Sequence, residues 1–333
     1  MRRHFFLCLV ALSCMTLFAA AAVQAAEVEW KFFSYWQAGD DATKLHKAFA
    51  EDLEKASNGR FVIKVYSAGE MPYTSFDVLK IVARNQVQMT DAAWGSVAGD
   101  MPELNAFSMP FICDSMDTFF EKAGPAVDDL INEALHKKYN VQSLFQWVVG
   151  PQQMWLVKPV SGLDDLKGLK IRAWNREQVE LMRLLNASGV TITPAEVIPA
   201  LQRGVADGAF TAATPALGWK FYEVCKFAYM LNLSLAHQSI VYNEKEFNKL
   251  PDDLRQLLID KGKEWMPKYR AAMTELDANA RKELARNGME LREITAEERE
   301  SLRTLVQPIW DEWIAKNGAV AKTMLDKVLE TTK

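Results

Sequence analysis

The chain has 333 residues, of which 49% are hydrophobic and 25% are charged, a composition typical of a globular protein. Its 39 basic and 43 acidic side chains give a formal net charge of −4, which argues against nucleic-acid binding because that function needs a basic face. The chain is longer than one hydrophobic core usually serves, so two lobes are expected.

The first 25 residues predict an export signal. They contain two early arginines, an apolar stretch that reaches Ala22, and small residues around Ala25. No later stretch approaches the roughly 18 uncharged apolar residues that a membrane-spanning helix needs. We therefore expect a mature protein outside the cytoplasm. Its two remaining cysteines, Cys113 and Cys225, are too few for a disulfide framework, and buried thiols are favoured.

Strand-like and helix-like segments alternate along the first part of the mature chain. Strand patterns occur at 28–33, 61–66 and 89–94, and helical patterns at 42–57 and 73–85. This alternation is typical of parallel sheets covered by helices, so the predicted fold class is α/β.

Two apolar runs, at 142–149 and 154–157, flank Gly150 and Pro151. We interpret them as a crossing from one lobe to the other. The segments that follow are strands at 169–173 and 190–193, a helix at 176–188, and returning strands at 227–233 and 236–242.

The last part of the chain is helical and rich in charge. One pattern runs from about residue 251 to 287 with Pro267 inside it, where a kink is expected. That helix is too long for one lobe. A final helical pattern covers about 296–316.

Four motifs follow one another across nearly the whole mature chain. They are FAEDLEKASNGRFVIKVY at 49–66, MPEL followed by MPF within 101–111, DLKGLKIR at 165–172, and EVIPALQRGVADG at 196–208. Together they resemble the periplasmic solute-binding proteins of tripartite ATP-independent periplasmic (TRAP) transporters, the DctP-like family.

This resemblance implies a two-lobed periplasmic-binding-protein fold, each lobe a mostly parallel sheet covered by helices. The first lobe would comprise residues 26–149 and about 234–265, and the second about 150–233 and about 266–333. The long helix would span both lobes, and the last helix would pack on the second. The protein would deliver a small organic acid to the membrane subunits of a transporter.

Ligands of parallel sheets bind beyond the carboxyl ends of the strands, and a cleft between two lobes is the natural site. Four loops are candidates on this basis. They cover residues 34–40, 93–98, 150–153 and 172–176.

Arg172 is the predicted carboxylate anchor, because a planar, permanently charged guanidinium can hold a carboxylate through two parallel hydrogen bonds. Gln152 lies near the place where many family members carry a second arginine, and this departure favours a monocarboxylate. Thr211 replaces an asparagine that commonly helps to hold the carboxylate. Asn232 is a further polar candidate, although asparagine near a strand end is often a turn residue.

Aromatic side chains are the predicted walls of the site. Trp174 follows Arg172 by two residues and would share its strand face. Tyr35, Trp36 and Trp94 lie in the other candidate loops. Flat rings around one anchor favour a bulky or aromatic monocarboxylate, such as an indole or phenyl acid, while a small 2-oxo acid, a dicarboxylate or a cyclic zwitterion stay open.

A secreted enzyme is the main alternative class, and the sequence lacks the usual equipment for it. We find no Gly-x-Ser-x-Gly elbow, no His-Glu-x-x-His and no phosphate-binding loop. The three histidines after the signal, His46, His136 and His237, are too scattered for a metal motif. We expect no catalytic residue, metal or cofactor. A sensory binding protein that docks on a receptor is a third possibility.

Overall fold

The computed structural model describes residues 26–113 and 115–332. The predicted export signal at residues 1–25 lies outside the described residues. No helix in the described ranges is long and apolar enough to cross a bilayer.

Two sheets form the framework of the molecule, with helices packed over them. The strands in chain order are β1 (Val28–Phe33), β2 (Phe61–Tyr66), β3 (Met89–Ala93), β4 (Val141–Pro151), β5 (Gln153–Leu156), β6 (Lys170–Ala173), β7 (Ser188–Thr191), β8 (Gly208–Thr211), β9 (Phe227–Met230), β10 (Leu235–Asn243) and β11 (Glu290–Glu293). The first sheet has the order β2-β1-β3-β10-β4, and the second has the order β11-β9-β5-β8-β6-β7. We call the regions built on them the first and the second lobe.

Both sheets are mostly parallel, as expected, and each contains a single antiparallel strand. In the first sheet β1 pairs in parallel with β2 and β3, whereas β10 is antiparallel to β3 and β4. In the second sheet β5 is antiparallel to its neighbours β8 and β9. The antiparallel strands are those next to the crossings, because the chain leaves the first sheet at the end of β4 and returns to it through β10.

The main helices cover Asp41–Ala56, Val78–Ala83, Gly124–Tyr139, Arg176–Leu184, Val197–Gln202, Ala213–Gly218, Asp252–Arg286 and Ala296–Thr332. We call Asp252–Arg286 the long helix and Ala296–Thr332 the C-terminal helix.

The long helix joins the cores of the two lobes, as expected. Tyr269 packs against Trp147 of β4, with ring centroids 5.3 Å apart, and so belongs to the first lobe. Ala280 and Leu284, further along, are buried in the core of the second lobe. A helix of 35 residues is about 50 Å long, which is enough to bridge two lobes.

The C-terminal helix packs on the second lobe, where it was expected, and also on the first lobe. The indoles of Trp310 and Trp313 donate to the carbonyls of Pro110 and Pro102, which belong to the first lobe. Arg176, which begins a helix of the second lobe, pairs with Glu312 at 3.0 Å. The helix also extends beyond the predicted residue 316, with a break at Gly318, where φ is 73°.

Candidate functional site

A cavity with an empty volume of about 530 Å³, partly open to solvent, lies between the two lobes. Its lining residues come from the ends of strands in both sheets, as the switch-point rule for α/β folds requires. They are Tyr35, Trp36, Ser75, Phe76, Ala93, Ser96, Val149, Gln152, Arg172, Trp174, Ile192, Thr193, Pro194, Thr211, Pro215, Trp219, Ala236 and Gln238.

The structure brings all four candidate loops to this cavity. Tyr35 follows β1, Ser96 follows β3, Gln152 lies at the crossing, and Arg172 and Trp174 lie at the end of β6. Six of the predicted ligand-binding residues line the cavity: Arg172, Gln152, Trp174, Trp36, Tyr35 and Thr211.

Arg172 is held rigidly by the backbone of the second lobe. Its Nε donates to the carbonyl of Ile192 at 2.9 Å, and its Nη1 donates to the carbonyl of Phe210 at 2.7 Å. The side chain is only 3% exposed, and burial lowers the pKa of its guanidinium to about 9, so the group stays charged at neutral pH. Within residues 26–113 and 115–332 no acidic side chain pairs with it, so a buried positive charge faces the cavity without a counter-ion.

Gln152 and Thr211 supply neutral polar groups beside this charge. Gln152 is fixed through its backbone, because its N–H donates to Ser234 and its carbonyl accepts from Leu233, both at 2.9 Å. Its neighbour Gln153 is the pairing partner of Thr211 across β5 and β8. Both Gln152 and Thr211 line the cavity.

The ring walls on the first lobe are positioned by hydrogen bonds. Tyr35 and Trp36 have ring centroids 4.8 Å apart at 31°. The hydroxyl of Tyr35 donates to Gln238 Oε1 at 2.8 Å, and the indole of Trp36 donates to Asp91 Oδ2 at 2.9 Å. Because each ring is anchored at its polar atom, its flat apolar face stays available at the cavity.

A buried polar cluster stands behind Trp36. Asp91 on β3 also accepts from the indole of Trp147 at 3.1 Å, and His46 Nε2 lies 3.7 Å from its Oδ2. Burial raises the pKa of Asp91 to about 7, against the lowering effect of the two indole donors, and lowers the pKa of His46 to about 3. The carboxyl group fixes Trp36 from inside the first lobe.

Trp94 and Asn232, the other two candidates, lie outside the cavity lining. Trp94 is fully buried in the core of the first lobe, where its indole donates to Ser239 at 3.0 Å. Asn232 has a left-handed backbone with φ 46°, and its Oδ1 accepts from Gln153 at 2.6 Å and from Arg281 at 3.2 Å. The geometry gives Trp94 a packing role and Asn232 a structural role between the lobes.

Sequence reasoning did not single out several lining residues. Gln238 is in the middle of β10, a strand buried on both faces, so no alternation of polar and apolar residues marks it. Phe76, Ile192 and Pro194 belong to connecting segments without a motif. Trp219 was not among the predicted ligand residues, although its large ring is a signal that could have placed it there.

Two contacts beside the cavity join the lobes directly. The six-membered ring of Trp174 occupies the space where a β-carbon of Gly95 would stand, 2.1 Å from its nearest carbon. Three residues further on, the carboxylate of Glu177 accepts from Asn105 Nδ2 of the first lobe at 3.1 Å. The lobes are therefore closed upon each other at this edge of the cavity.

Metal-binding groups and thiols complete the description of the site. Within the described ranges no cluster of three or more His, Cys, Asp or Glu side chains could hold a metal ion. Cys113 is buried in the first lobe and Cys225 in the second. Burial raises the pKa of the Cys225 thiol to about 12.

Two lobes closed over a cavity with one buried, unpaired cation define a class of proteins, the two-lobed solute-binding proteins. The family described as "Bacterial extracellular solute-binding protein, family 7" (DctP) matches residues 32–317. The chain belongs to this family, whose members are periplasmic receptors of TRAP transport and not enzymes, so the resemblance found in the sequence is confirmed.

Individual relatives agree with this assignment. The sialic acid-binding periplasmic protein SiaP of Vibrio cholerae is 24% identical over 75% of this chain and 77% of its own length. The C4-dicarboxylate-binding periplasmic protein DctP of Rhodobacter capsulatus is 26% identical over 81% and 82%. The Bordetella pertussis receptor DctP7, crystallised as a receptor that binds pyroglutamic acid, shares the fold with a TM-score of 0.84 at 23% identity, covering 90% of this chain and 99% of that one.

Proposed function

We propose that this protein is the periplasmic subunit of a TRAP transporter that captures a carboxylate by closing its lobes on Arg172. The observation that carries the proposal is the state of that arginine, which is 3% exposed and has no acidic partner within the described ranges. A buried charge without a counter-ion is costly, and an anion supplied by the ligand would remove that cost. The backbone bonds of Nε and Nη1 use two of the five guanidinium N–H donors, so three remain for a ligand.

The favoured ligand is a monocarboxylate with a flat ring, such as an indole or phenyl acid. Of the described residues that line the cavity, Arg172 is the only charged one, so a second carboxylate would lack a cation. The aromatic lining residues Tyr35, Trp36, Phe76, Trp174 and Trp219 offer faces for stacking. Closure excludes water and strengthens the ion pair, which would contribute little if exposed.

A small cyclic acid with an amide group is the second candidate. Gln152 and Gln238 both line the cavity, and each amide can donate and accept a hydrogen bond. Two Bordetella pertussis receptors of the same fold bind pyroglutamic acid, which is such a compound. Native mass spectrometry of the purified mature protein would decide between the two candidates by identifying a molecule carried through purification.

The anchor is tested by replacing Arg172 with Ala and measuring the affinity for indole-3-acetate and for pyroglutamate by calorimetry. We expect Arg172→Ala to abolish binding, because the charge-assisted bonds to the ligand are lost. The melting temperature without ligand should stay near that of the wild type. Arg183→Ala, on the exposed surface of the neighbouring helix, is the matched control and should bind as the wild type does. Unchanged affinity in Arg172→Ala would contradict the anchor.

Export and partners follow from the family and from residues 1–25. We propose that these residues are removed on export and that the mature protein meets two membrane subunits. Sequencing the amino terminus of the protein from a periplasmic extract should show a chain that begins near Ala26. Uptake of the identified acid should require the binding protein and both membrane subunits together.

A further inference from the structure

Glu177 is a buried acid at the contact between the lobes, outside the lining of the ligand cavity. It lies in the first turn of the helix Arg176–Leu184 and is 6% exposed. Its Oε2 accepts from Nδ2 of Asn105, which is 1% exposed and belongs to the first lobe. Asn105 is itself held, because its Oδ1 accepts from the hydroxyl of Ser108 at 2.6 Å.

Opening of the cavity would break this contact. Trp174 lines the cavity and covers Gly95 of the first lobe, so an opening of the lobes would separate the two. Trp174 and Glu177 are three residues apart on one continuous strand-to-helix segment. A movement that carries Trp174 away from Gly95 therefore carries Glu177 away from Asn105 and exposes its carboxyl to water.

The charges around Glu177 do not compensate for its burial. On its own helix, Arg176 is exposed and Glu180 adds a like charge. On the C-terminal helix, Glu312 forms an ion pair with Arg176, whose Nη2 lies 3.0 Å from Oε1, and a second ion pair with Lys316. Both of these cations are therefore paired with Glu312 and not with Glu177. Asn105 is the neutral donor from the first lobe.

Burial is thus the largest influence on Glu177 and raises its pKa to about 7 in the closed form. In the open form the hydrated carboxyl would return toward its ordinary range near 4.5. Closure then takes up a proton, so it is favoured at low pH and becomes less favourable as pH rises toward 7.

We propose that Glu177 and Asn105 form an interlobe latch through which protonation of the Glu177 carboxyl sets how readily the lobes close and how tightly a carboxylate is held. The inference rests on the proposed function, because it concerns closure over the same cavity. Glu177 is not among the residues that line the cavity and acts as a positioning residue.

The test is the pH dependence of affinity for indole-3-acetate and pyroglutamate. Between about pH 5.5 and pH 7.5 both acids stay ionised, so a change in affinity reports the protein. The wild type should bind about tenfold more weakly at the higher pH. Glu177→Gln, which keeps the acceptor and removes the titration, should show a flat profile and bind more tightly than the wild type at the higher pH.

Glu180→Gln is the matched control, because Glu180 lies on the same helix and pairs with Arg183. It should keep the wild-type slope. Three results would each overturn the latch. They are an affinity of Glu177→Gln that depends on pH as in the wild type, a wild-type affinity that does not change with pH, and an affinity of Glu180→Gln that does not change with pH.

A second measurement needs no ligand and separates failure of the latch from failure of the proposed function. Spin labels attached at Lys55→Cys in the first lobe and Arg203→Cys in the second, both exposed, report the distance between the lobes. If neither acid binds, the choice of ligand is wrong, and the latch is still measured. A larger closed fraction in Glu177→Gln than in the wild type near neutral pH supports it, and equal fractions refute it.

Discussion

Gly95 of the first lobe lies directly under the ring of Trp174 of the second lobe. A β-carbon there would come within 2.1 Å of the ring. This is far closer than any non-bonded carbon contact, so either the ring or the lobe must shift. The absence of a side chain at residue 95 is a condition of the closed form.

Gly95→Ala should weaken ligand binding by at least about tenfold, because the methyl group would keep Trp174 from reaching its closed position. The melting temperature without ligand should change little, since the clash exists only when the lobes meet. Calorimetry with the acid identified by mass spectrometry measures the effect. Gly99→Ala is the control, because a β-carbon at Gly99 meets no atom within 4 Å. Equal affinities of the two variants would contradict this view of the contact.

The sequence predicted part of the candidate site at this scale, and the limits have physical causes. Arg172 and Tyr35 could be found because Arg172 lies near the end of β6 and Tyr35 just after β1, and both strand ends face the cleft. Trp94 was misplaced because side chains alternate at the end of a strand, and it is Ala93 that lines the cavity while Trp94 enters the core. Gln238 gave no signal because every residue of β10 is buried.

The elements that cross between the lobes are tied together by one polar cluster. Asp277 of the long helix accepts from Arg281 Nε at 2.8 Å, and Arg281 in turn donates to Asn232, just after β9. Asn232 also exchanges two hydrogen bonds with Gln153 at the start of β5. Beside the cluster Gly150 has φ 126°, a conformation that favours glycine, and a β-carbon there would lie 3.1 Å from Asp277 Oδ1.

Asn232→Ala should lower the free energy of unfolding by about 2–4 kcal/mol, because two donors lose their acceptor and alanine is strained in the left-handed region. Asn232→Gly loses the same hydrogen bonds without the backbone strain. Its free energy of unfolding should therefore fall by about 1 kcal/mol less than that of Asn232→Ala. Urea denaturation measures both values. Wild-type stability in both variants would show that the cluster contributes nothing to the fold.

Helix boundaries were the least accurate part of the sequence prediction, and local side chains explain why. The pattern predicted a helix over 73–85, but the carboxylate of Asp77 accepts from Thr74 N–H and forms a turn, so the helix begins at Val78. The helix predicted over 176–188 ends at Leu184. Asn186 then takes a left-handed conformation, with φ 55°, before β7 begins.

At the scale of the whole molecule, the buried pair of His46 and Asp91 links stability to pH in two opposing ways. The pKa of His46 is lowered to about 3, so its contribution to stability is lost as pH falls from about 6.5 toward 3. The pKa of Asp91 is raised to about 7, so its burial destabilises the fold as pH rises from about 4 toward 7. Between about pH 4 and pH 6.5 the two effects on stability cancel, because the pair holds one proton in both states. In the native state this proton is on Asp91, and in the unfolded state it is on His46.

A variant that lacks one partner should show the pH dependence of stability that the other partner causes. Relative to the wild type, the stability of Asp91→Asn should rise with pH between about pH 4 and pH 6.5, by up to about 1.4 kcal/mol per unit. The stability of His46→Gln should fall over the same window by a similar amount. Denaturation curves at several pH values measure both slopes. Parallel pH profiles for the two variants and the wild type would contradict the opposing titrations.

The two-lobed fold was predictable as a whole because its signals are spread along the chain. The alternation of strands and helices indicated covered sheets, and four motifs in one order indicated the family. The antiparallel direction of β5 and β10 was not predictable, because both strands are continuously buried and their sequences do not record strand direction. The position of the C-terminal helix depends on indole bonds to carbonyls of Pro102 and Pro110, which no local pattern reveals.

The lining of the cavity comes from many short, separate pieces of chain, and several of them lie just beyond strand ends. Substitutions in these connecting pieces change the shape and polarity of the pocket without changing residues of the sheets or of the long helix. Selectivity can therefore drift in evolution by single replacements while the two sheets and the long helix stay intact. The same modularity makes this receptor a scaffold on which new sensors for organic acids can be engineered loop by loop.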